Sequence, residues 1–290
     1  MSEVLKMIEL TKRYSTFTLG PLNYQIQKGT AVALIGPNGS GKSTFLKLLI
    51  NVLKPSAGTI ELFDQLVTEE DSNIKQQIGY VGDYLAPFGD LKVNKMSTFI
   101  SYWYPNWNHK RYKELISRYE INERQVFNKC SKGTQKKIEF VFSLSYEPKL
   151  LLLDEPTSGV DLISQRKMRE DLRCFMENEE NSLLLSTHIL DDVSHICDYI
   201  CLMDKGRIIR TFEKDEIQDQ WARLWIDHLP ERMKNNPAIL RIIPSPLHII
   251  TNDALRIEQE LSNEAVSISH SQKMGIDEAL EYMIHDLQRN

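Results

Sequence analysis

Apolar positions along the chain recur with two different periods, and the period separates strands from helices. Residues 4 to 30 alternate apolar and polar around Met7-Ile8-Glu9-Leu10 and Leu22-Asn23-Tyr24-Gln25-Ile26. Period two predicts two half-buried strands, punctuated by turns at Gly20-Pro21 and Lys28-Gly29. Three runs do not alternate at all: Ala31 to Ile35, Leu150 to Leu153 and Leu183 to Leu185. Unbroken apolar runs of that length suit strands covered on both faces of a parallel sheet. Ile78 to Asp83 reads as a further strand that ends in a polar residue, and Thr59 to Phe63 as a short one after the turn Lys54 to Gly58. Helical spacing appears at Phe45, Leu46, Leu48, Leu49 and Val52, in a helix that stops before Pro55. It appears again at Ile138, Phe140, Val141 and Leu144, in a helix capped at its start by Ser131 and closed by Glu147-Pro148. Tyr199 to Arg210 reads as a hairpin turning at Lys205-Gly206, with Ile200, Leu202, Ile208 and Ile209 in the core.

Two regions break this scheme. Residues 84 to 127 are helical in propensity and hold ten of the chain's 25 aromatic residues, among them Tyr102, Trp103, Tyr104 and Trp107. Core packing accounts for most such residues singly, while the density also suits a binding surface. Beyond about residue 215, Pro230, Pro237, Pro244 and Pro246 interrupt short strands at 239–243, 248–251 and 265–269. Helices are expected at 253–261 and 277–287, the latter with an apolar stripe of Ala279, Leu280, Met283, Ile284 and Leu287. The chain therefore divides into a main domain, 1–214, and a small α+β appendage, 215–290.

Composition narrows the class. A chain of 290 residues holds one domain of roughly 200 residues and something smaller. Apolar residues make up 41%, which excludes wholesale disorder, and a net charge of −5 argues against a nucleic-acid-binding surface. The longest apolar runs fall far short of the roughly 20 residues that a membrane span needs. No charged-then-apolar leader opens the sequence, so no secretion signal is expected. Cys130, Cys174, Cys197 and Cys201 form no C-x-x-C pair and read as reduced thiols of a cytosolic protein.

The chemistry gathers at the ends of the apolar strands. Gly36-Pro37-Asn38-Gly39-Ser40-Gly41-Lys42-Ser43-Thr44 fits the phosphate-loop pattern, between the strand and the helix that the pattern requires. Glycines let backbone N–H groups close on phosphate oxygens, and the helix N-terminus adds its positive end. Lys42 can reach the terminal phosphates and the Ser43 hydroxyl can ligate Mg²⁺, so a nucleoside triphosphate is implied. Asp154 and Glu155 end the leucine strand, where open α/β sheets bind ligands. Asp154 suits Mg²⁺, which prefers hard oxygen ligands, and Glu155 can accept a proton from an attacking water. His188 follows the third run and faces the same edge. Tyr14, upstream of the phosphate loop, has the face that base stacking needs, although alone it reads as an ordinary strand aromatic. Ser131 and Gly133 open a helix start that can accept an anion, whereas Lys136 and Lys137 read as a solvated face.

These stations, in this order, resemble the ATP-binding subunit of ABC transporters over residues 4 to about 212. The phosphate loop looks like Walker A, and Leu150 to Glu155 like Walker B with its catalytic glutamate. Ser131-Lys132-Gly133-Thr134-Gln135 is similar to the signature sequence, and Ser158-Gly159-Val160-Asp161 to the D-loop. His188 matches the switch histidine, Tyr14 the base-stacking aromatic, and Asp83 stands where the family usually has a Gln that touches Mg²⁺ and the attacking water. The resemblance implies an α/β fold: a P-loop ATPase with a mixed sheet core, an antiparallel β subdomain and a helical subdomain at about 84–147. It implies ATP and Mg²⁺ as cofactors, and a homodimer or a heterodimer with a related ATPase, each ATP lying between one Walker A and the partner's signature. It also implies permease subunits docked on the aromatic insert and a place on the cytoplasmic face of the membrane. Tyr102 to Trp107 and the short appendage further resemble ATPases associated with GntR-type regulators, a group that includes exporters of phenol-soluble modulins.

Overall fold

The computed structural model of the protein describes residues 2–68 and 72–289, the side chains of 218 and 285–289 excepted. Two units are present, Met1–Thr211 and Phe212–Asn290. The first is built around β3 (Ala31–Ile35), every residue of which is buried. β3 runs parallel to β8 (Ser182–Ser186) on one side and to β9 (Tyr199–Asp204) on the other. β7 (Leu150–Asp154) and β6 (Ile78–Val81) extend the parallel arrangement beyond β8. β10 (Arg207–Glu213) completes the six-stranded order β10-β9-β3-β8-β7-β6. It turns back from β9 through Lys205 and Gly206, whose φ of 45° and 79° suit a tight hairpin. Because β3, β6, β7 and β8 point the same way, their C-terminal ends bring Gly36, Asp83, Glu155 and His188 to one sheet edge. Ile209 on β10 is 51% exposed, contrary to the expected core position, while Ile208 packs against the core.

A four-stranded sheet covers the first helix. Its order is β2 (Thr18–Gln27), β1 (Glu3–Arg13), β4 (Ala57–Leu62) and β5 (Gln65–Leu66). Both of its pairings with β1 as centre are antiparallel. The simple alternation expected in β1 is broken by a register shift between Met7 and Leu10, where Glu9 takes a left-handed φ of 50°. Both flanking side chains thereby face inward, and with Val4, Leu5, Leu19 and Ile60 they meet Phe45, Leu46 and Leu49 of α1 (Lys42–Leu49). α1 stops three residues earlier than its apolar pattern suggests. Asn51 adopts φ 55°, its N–H donates to Leu48 O and that of Val52 to Lys47 O, which closes the helix and leaves Val52 64% exposed.

Helices fill the rest of the unit: α2 (Ser72–Lys75), α3 (Val93–Trp103), α4 (His109–Arg118) and α5 (Lys132–Ser145). Much of the aromatic density is core. Tyr104 stacks on Tyr146 at 3.9 Å between centroids, and Trp107 packs on Tyr112 and Phe142. Phe99, Tyr102 and Trp103, on α3, stay exposed at 45%, 82% and 57%. α6 (Leu162–Met176) and α7 (Leu190–Ile196) have no counterpart in the apolar pattern, since α6 buries little besides Met168 and Leu172.

The second unit begins with α8 (Lys214–Gln220) and forms an antiparallel sheet, β12-β13-β11-β14. Its strands are β11 (Ala222–Ile226), β12 (Ile239–Pro244), β13 (Leu247–Thr251) and β14 (Ile268–Lys273). α9 (Ala254–Asn263) and α10 (Ile276–Arg289) pack with it. β11, absent from the sequence expectation, supplies core through Ala222, Leu224 and Ile226, and β14 begins three residues later than expected because Ala265 (φ 56°) still belongs to the turn. Ala279, Leu280 and Met283 of the α10 stripe are buried, and the Leu287 side chain lies outside the described residues. Among the described residues no helix is long and apolar enough to cross a membrane.

Candidate functional site

The phosphate loop runs from Gly36 into the first turn of α1. Gly41 is the N-cap, held at φ 109°, which no side chain there could share comfortably, and a Cβ would strike Leu19 at 2.8 Å. Its carbonyl accepts the Phe45 N–H at 2.8 Å, so the first intrahelical bond starts one turn in. The N–H groups of Lys42, Ser43 and Thr44 precede that bond and are the open donors of a helix start. Lys42 is only 9% exposed, and its Nζ donates to the carbonyls of Gly36 at 2.8 Å and Pro37 at 3.1 Å. Burial lowers its pKa from the ordinary lysine value, opposed by the carboxylates of Glu155 and Asp154. Ser40 is buried within the same loop. A cleft of about 450 Å³ opens here, with Asn38, Gly39, Lys42, Ser43 and Thr44 on one wall and Asp154, Glu155 and Ser186 on another.

The acidic wall is set by neighbouring strand ends. Asp154 on β7 sits in register with Ser186 on β8, and the Glu155 N–H donates to Ser186 O at 2.8 Å. Glu155 holds a left-handed φ of 50°, costly for a non-glycine residue and found where a fold fixes a side chain for use. Its Oε2 lies 2.6 Å from His188 Nδ1. Behind it, Thr157 donates to Asp192 at 2.6 Å, and Arg169 pairs with the same buried carboxylate at 2.9 Å, bracing the segment that follows β7. Ser186 is among the residues at the cleft, and its hydroxyl is buried with no hydrogen-bond partner among the described residues. An all-oxygen set of Ser43 hydroxyl and Asp154 carboxylate on one cleft, beside an unpaired hydroxyl, fits Mg²⁺.

Other residues singled out from the sequence lie apart from this cleft. Tyr14 is 43% exposed, with Lys12 Nζ 5.7 Å from its ring centroid, and it contacts Phe17 at 6.3 Å between centroids. Phe17, not Tyr14, lines the cleft. The only signal for Phe17 was a second aromatic three residues beyond the first. Ser131 caps α5 as expected, accepting the Thr134 N–H at 3.2 Å. The glycine requirement at Gly133 is steric: a Cβ would stand 2.3 Å from the Gly159 carbonyl oxygen, so the start of α5 packs backbone to backbone on the D-loop. Gln135 turns inward and donates to Phe127 O at 3.0 Å. Asp161 is the N-cap of α6, and the backbone N–H and hydroxyl of Ser164, then Lys137, lower its pKa to about 2.

Lys136 and Lys137 are not a solvated face. Their side chains are 13% and 16% exposed, Lys137 pairing with Asp161 at 3.4 Å and Lys136 with Asp83 at 3.4 Å. Asp83, at φ 57°, therefore directs its carboxylate to α5, and it does not line the cleft that holds Ser43 and Asp154. Burial raises the pKa of the adjacent Glu139, against the pull of Lys136 and of two backbone N–H groups.

A family model described as ABC transporter matches residues 19–158. The ABC transporter ATP-binding protein YtrB of Bacillus subtilis is 30% identical over 207 residues, 71% of this chain and 70% of that protein. The Escherichia coli protein named "Probable multidrug ABC transporter ATP-binding protein YbhF" is 28% identical over 76% of this chain, which spans 39% of its length. A solved structure of an ATP-binding subunit of an ABC transporter superposes with a TM-score of 0.65 at 25% identity, covering 74% of this chain and 92% of that one.

Proposed function

The chain belongs to the ATP-binding proteins of ABC transporters, and on that premise we propose that it is the motor subunit of a bacterial exporter. As a member of the family it binds and hydrolyses ATP. The observation that carries the mechanism is the Glu155–His188 contact of 2.6 Å beside Asp154 and the phosphate loop. In this reading Lys42 leaves the Gly36 and Pro37 carbonyls for the terminal phosphates, and the open N–H groups of Lys42, Ser43 and Thr44 hold phosphate oxygens. Ser43 and Asp154 hold Mg²⁺, which when bound neutralises charge on the phosphates. Glu155 takes the proton of the attacking water, and His188 orients the carboxylate and senses the terminal phosphate. Tyr14 and Phe17 flank the base.

The signature start at Ser131 and Gly133 and the D-loop at Asp161 lie outside the cleft, as they must if they complete a site on a second ATPase protomer. ATP then closes a dimer and hydrolysis opens it. The exposed Phe99, Tyr102 and Trp103 support the docking of a permease helix, with Asp83 at the start of the intervening loop as a coupling residue. That docking places the subunit on the cytoplasmic face of the membrane. A multidrug role in the name of the relative YbhF favours export. The resemblance of Tyr102 to Trp107 to the GntR-associated group, which includes exporters of phenol-soluble modulins, is the ground for amphipathic peptides as cargo. The 215–290 region is then an accessory domain. Light scattering of Glu155→Gln protein tests the core of this proposal. A mass that doubles only with Mg²⁺-ATP supports it, and a protein that binds ATP yet stays monomeric defeats the homodimer.

A further inference from the structure

One charged cluster lies next to the cleft without lining it. Glu139, in α5, is 2% exposed among the fully buried Ile138, Phe140 and Val141, and accepts the N–H groups of Asp83, at 3.3 Å, and of Gly82. Lys136, one turn earlier, stands 3.4 Å from Asp83 Oδ1 and 3.8 Å from Glu139 Oε2, and its Nζ donates to the Asp154 carbonyl at 3.3 Å. The cation thus touches three segments: the loop after β6, its own helix, and the last residue of β7. A buried carboxylate is costly even when paired, and an apolar residue at 139 would pack at least as well. The retained charges do something that packing does not. The Asp154 carbonyl belongs to the peptide unit that leads into Glu155, whose left-handed backbone aims its side chain at His188.

We infer that Lys136 is a positioning residue for hydrolysis, which fixes the Asp154–Glu155 peptide and, through Asp83, makes that fixation follow the loop after β6. The inference rests on the proposed role of Glu155. Displacement of the loop carries Asp83 with it, and Lys136 then holds the Asp154 carbonyl less firmly. The acidic residue at 83 is explained in the same terms: its carboxylate is the ionic end of this linkage.

The test compares turnover with binding. Lys136→Met should lower kcat for ATP about tenfold while the affinity for a fluorescent ATP analogue changes less than twofold, and Lys136→Arg should restore most of the rate. Lys136→Met leaves Glu139 buried without its cation, so the Lys136→Met/Glu139→Met double variant removes both charges together. It should melt close to the native protein, still turn over about tenfold slowly, and exchange the Gly82 and Asp83 amide hydrogens faster. Asp83→Asn, at a side chain 79% exposed, folds in any case and should lower kcat about threefold. Native turnover in the double variant and in Asp83→Asn would overturn the inference and leave the cluster a packing device. Full ATPase activity in Glu155→Gln would instead overturn the role of Glu155, an outcome separate from the first.

Discussion

The loops that follow β6 and β7 begin alike and end differently. Each strand is parallel, the two are paired, and each is followed by an acidic residue in the left-handed region, Asp83 at φ 57° and Glu155 at φ 50°. Glu155 faces the cleft and His188, whereas Asp83 turns to Lys136 on α5. Charge alone does not decide function at a sheet edge. What decides it is the neighbour that each strand end offers: β7 has β8 beside it with Ser186 and His188, and β6 is the sheet edge, open to the helical layer. The helix answers both loops with adjacent cations, Lys136 to Asp83 and Lys137 to Asp161.

Substitutions should separate the two loops. Glu155→Gln removes a proton acceptor and keeps the side chain's size, so kcat should fall about 10³-fold, on the order of 4 kcal/mol of barrier, with ATP affinity retained. An ATPase assay beside equilibrium nucleotide binding decides it. Leu152, fully buried at the centre of β7 and paired with Tyr80 and Leu184, supports both loops at once. Leu152→Ala should cost about 3 kcal/mol in denaturant unfolding, with no preference for either loop. Asp161→Ala removes the α6 cap and should cost about 1 kcal/mol in the same experiment. Because the folded pKa of Asp161 is depressed to about 2, its contribution is complete above the unfolded value of about 3.9 and is lost as pH falls from there toward 2. Acid titration of Asp161→Asn should lack that component. The smallest effect belongs to Asp83→Asn, about threefold in kcat or roughly 0.6 kcal/mol; a loss as large as that of Glu155→Gln would erase the contrast between the loops.

The strands of the parallel sheet, the phosphate loop and the Asp154–Glu155–His188 edge were legible in the sequence. Buried runs and glycine spacing are local signals, and a parallel sheet delivers its strand ends to one place. The misses have physical causes as well. α6 hides because its apolar residues make no stripe: Met168 and Leu172 are buried while Leu162 and Ile163 stand exposed. Ion pairs such as Arg118 with Asp171 and Glu170 tie it to the rest. The burial of Lys136 and Lys137 depends on α5 lying against two loops distant in sequence, which no local pattern records. Gly133 stood out in the sequence as part of a helix start that can accept an anion, and only the approach of Gly159 reveals what the missing side chain makes room for. Phe17 shows the same limit, since its place on the cleft comes from the turn between β1 and β2.

The placement of β3 has a consequence for how the protein is made. Both neighbours of β3, residues 182–186 and 199–204, leave the ribosome long after the phosphate loop does. Until then its apolar strand has two open edges and nothing to pair with, while β1, β2 and α1 can already collapse over it through Leu10, Phe45 and Leu46. Pairing across such a separation is slow, and an unpaired apolar edge invites misassociation. The nucleotide cleft is therefore among the last features to form during synthesis. A chain arrested before residue 182 can display a glycine loop and a helix, but not the wall that makes them an ATPase.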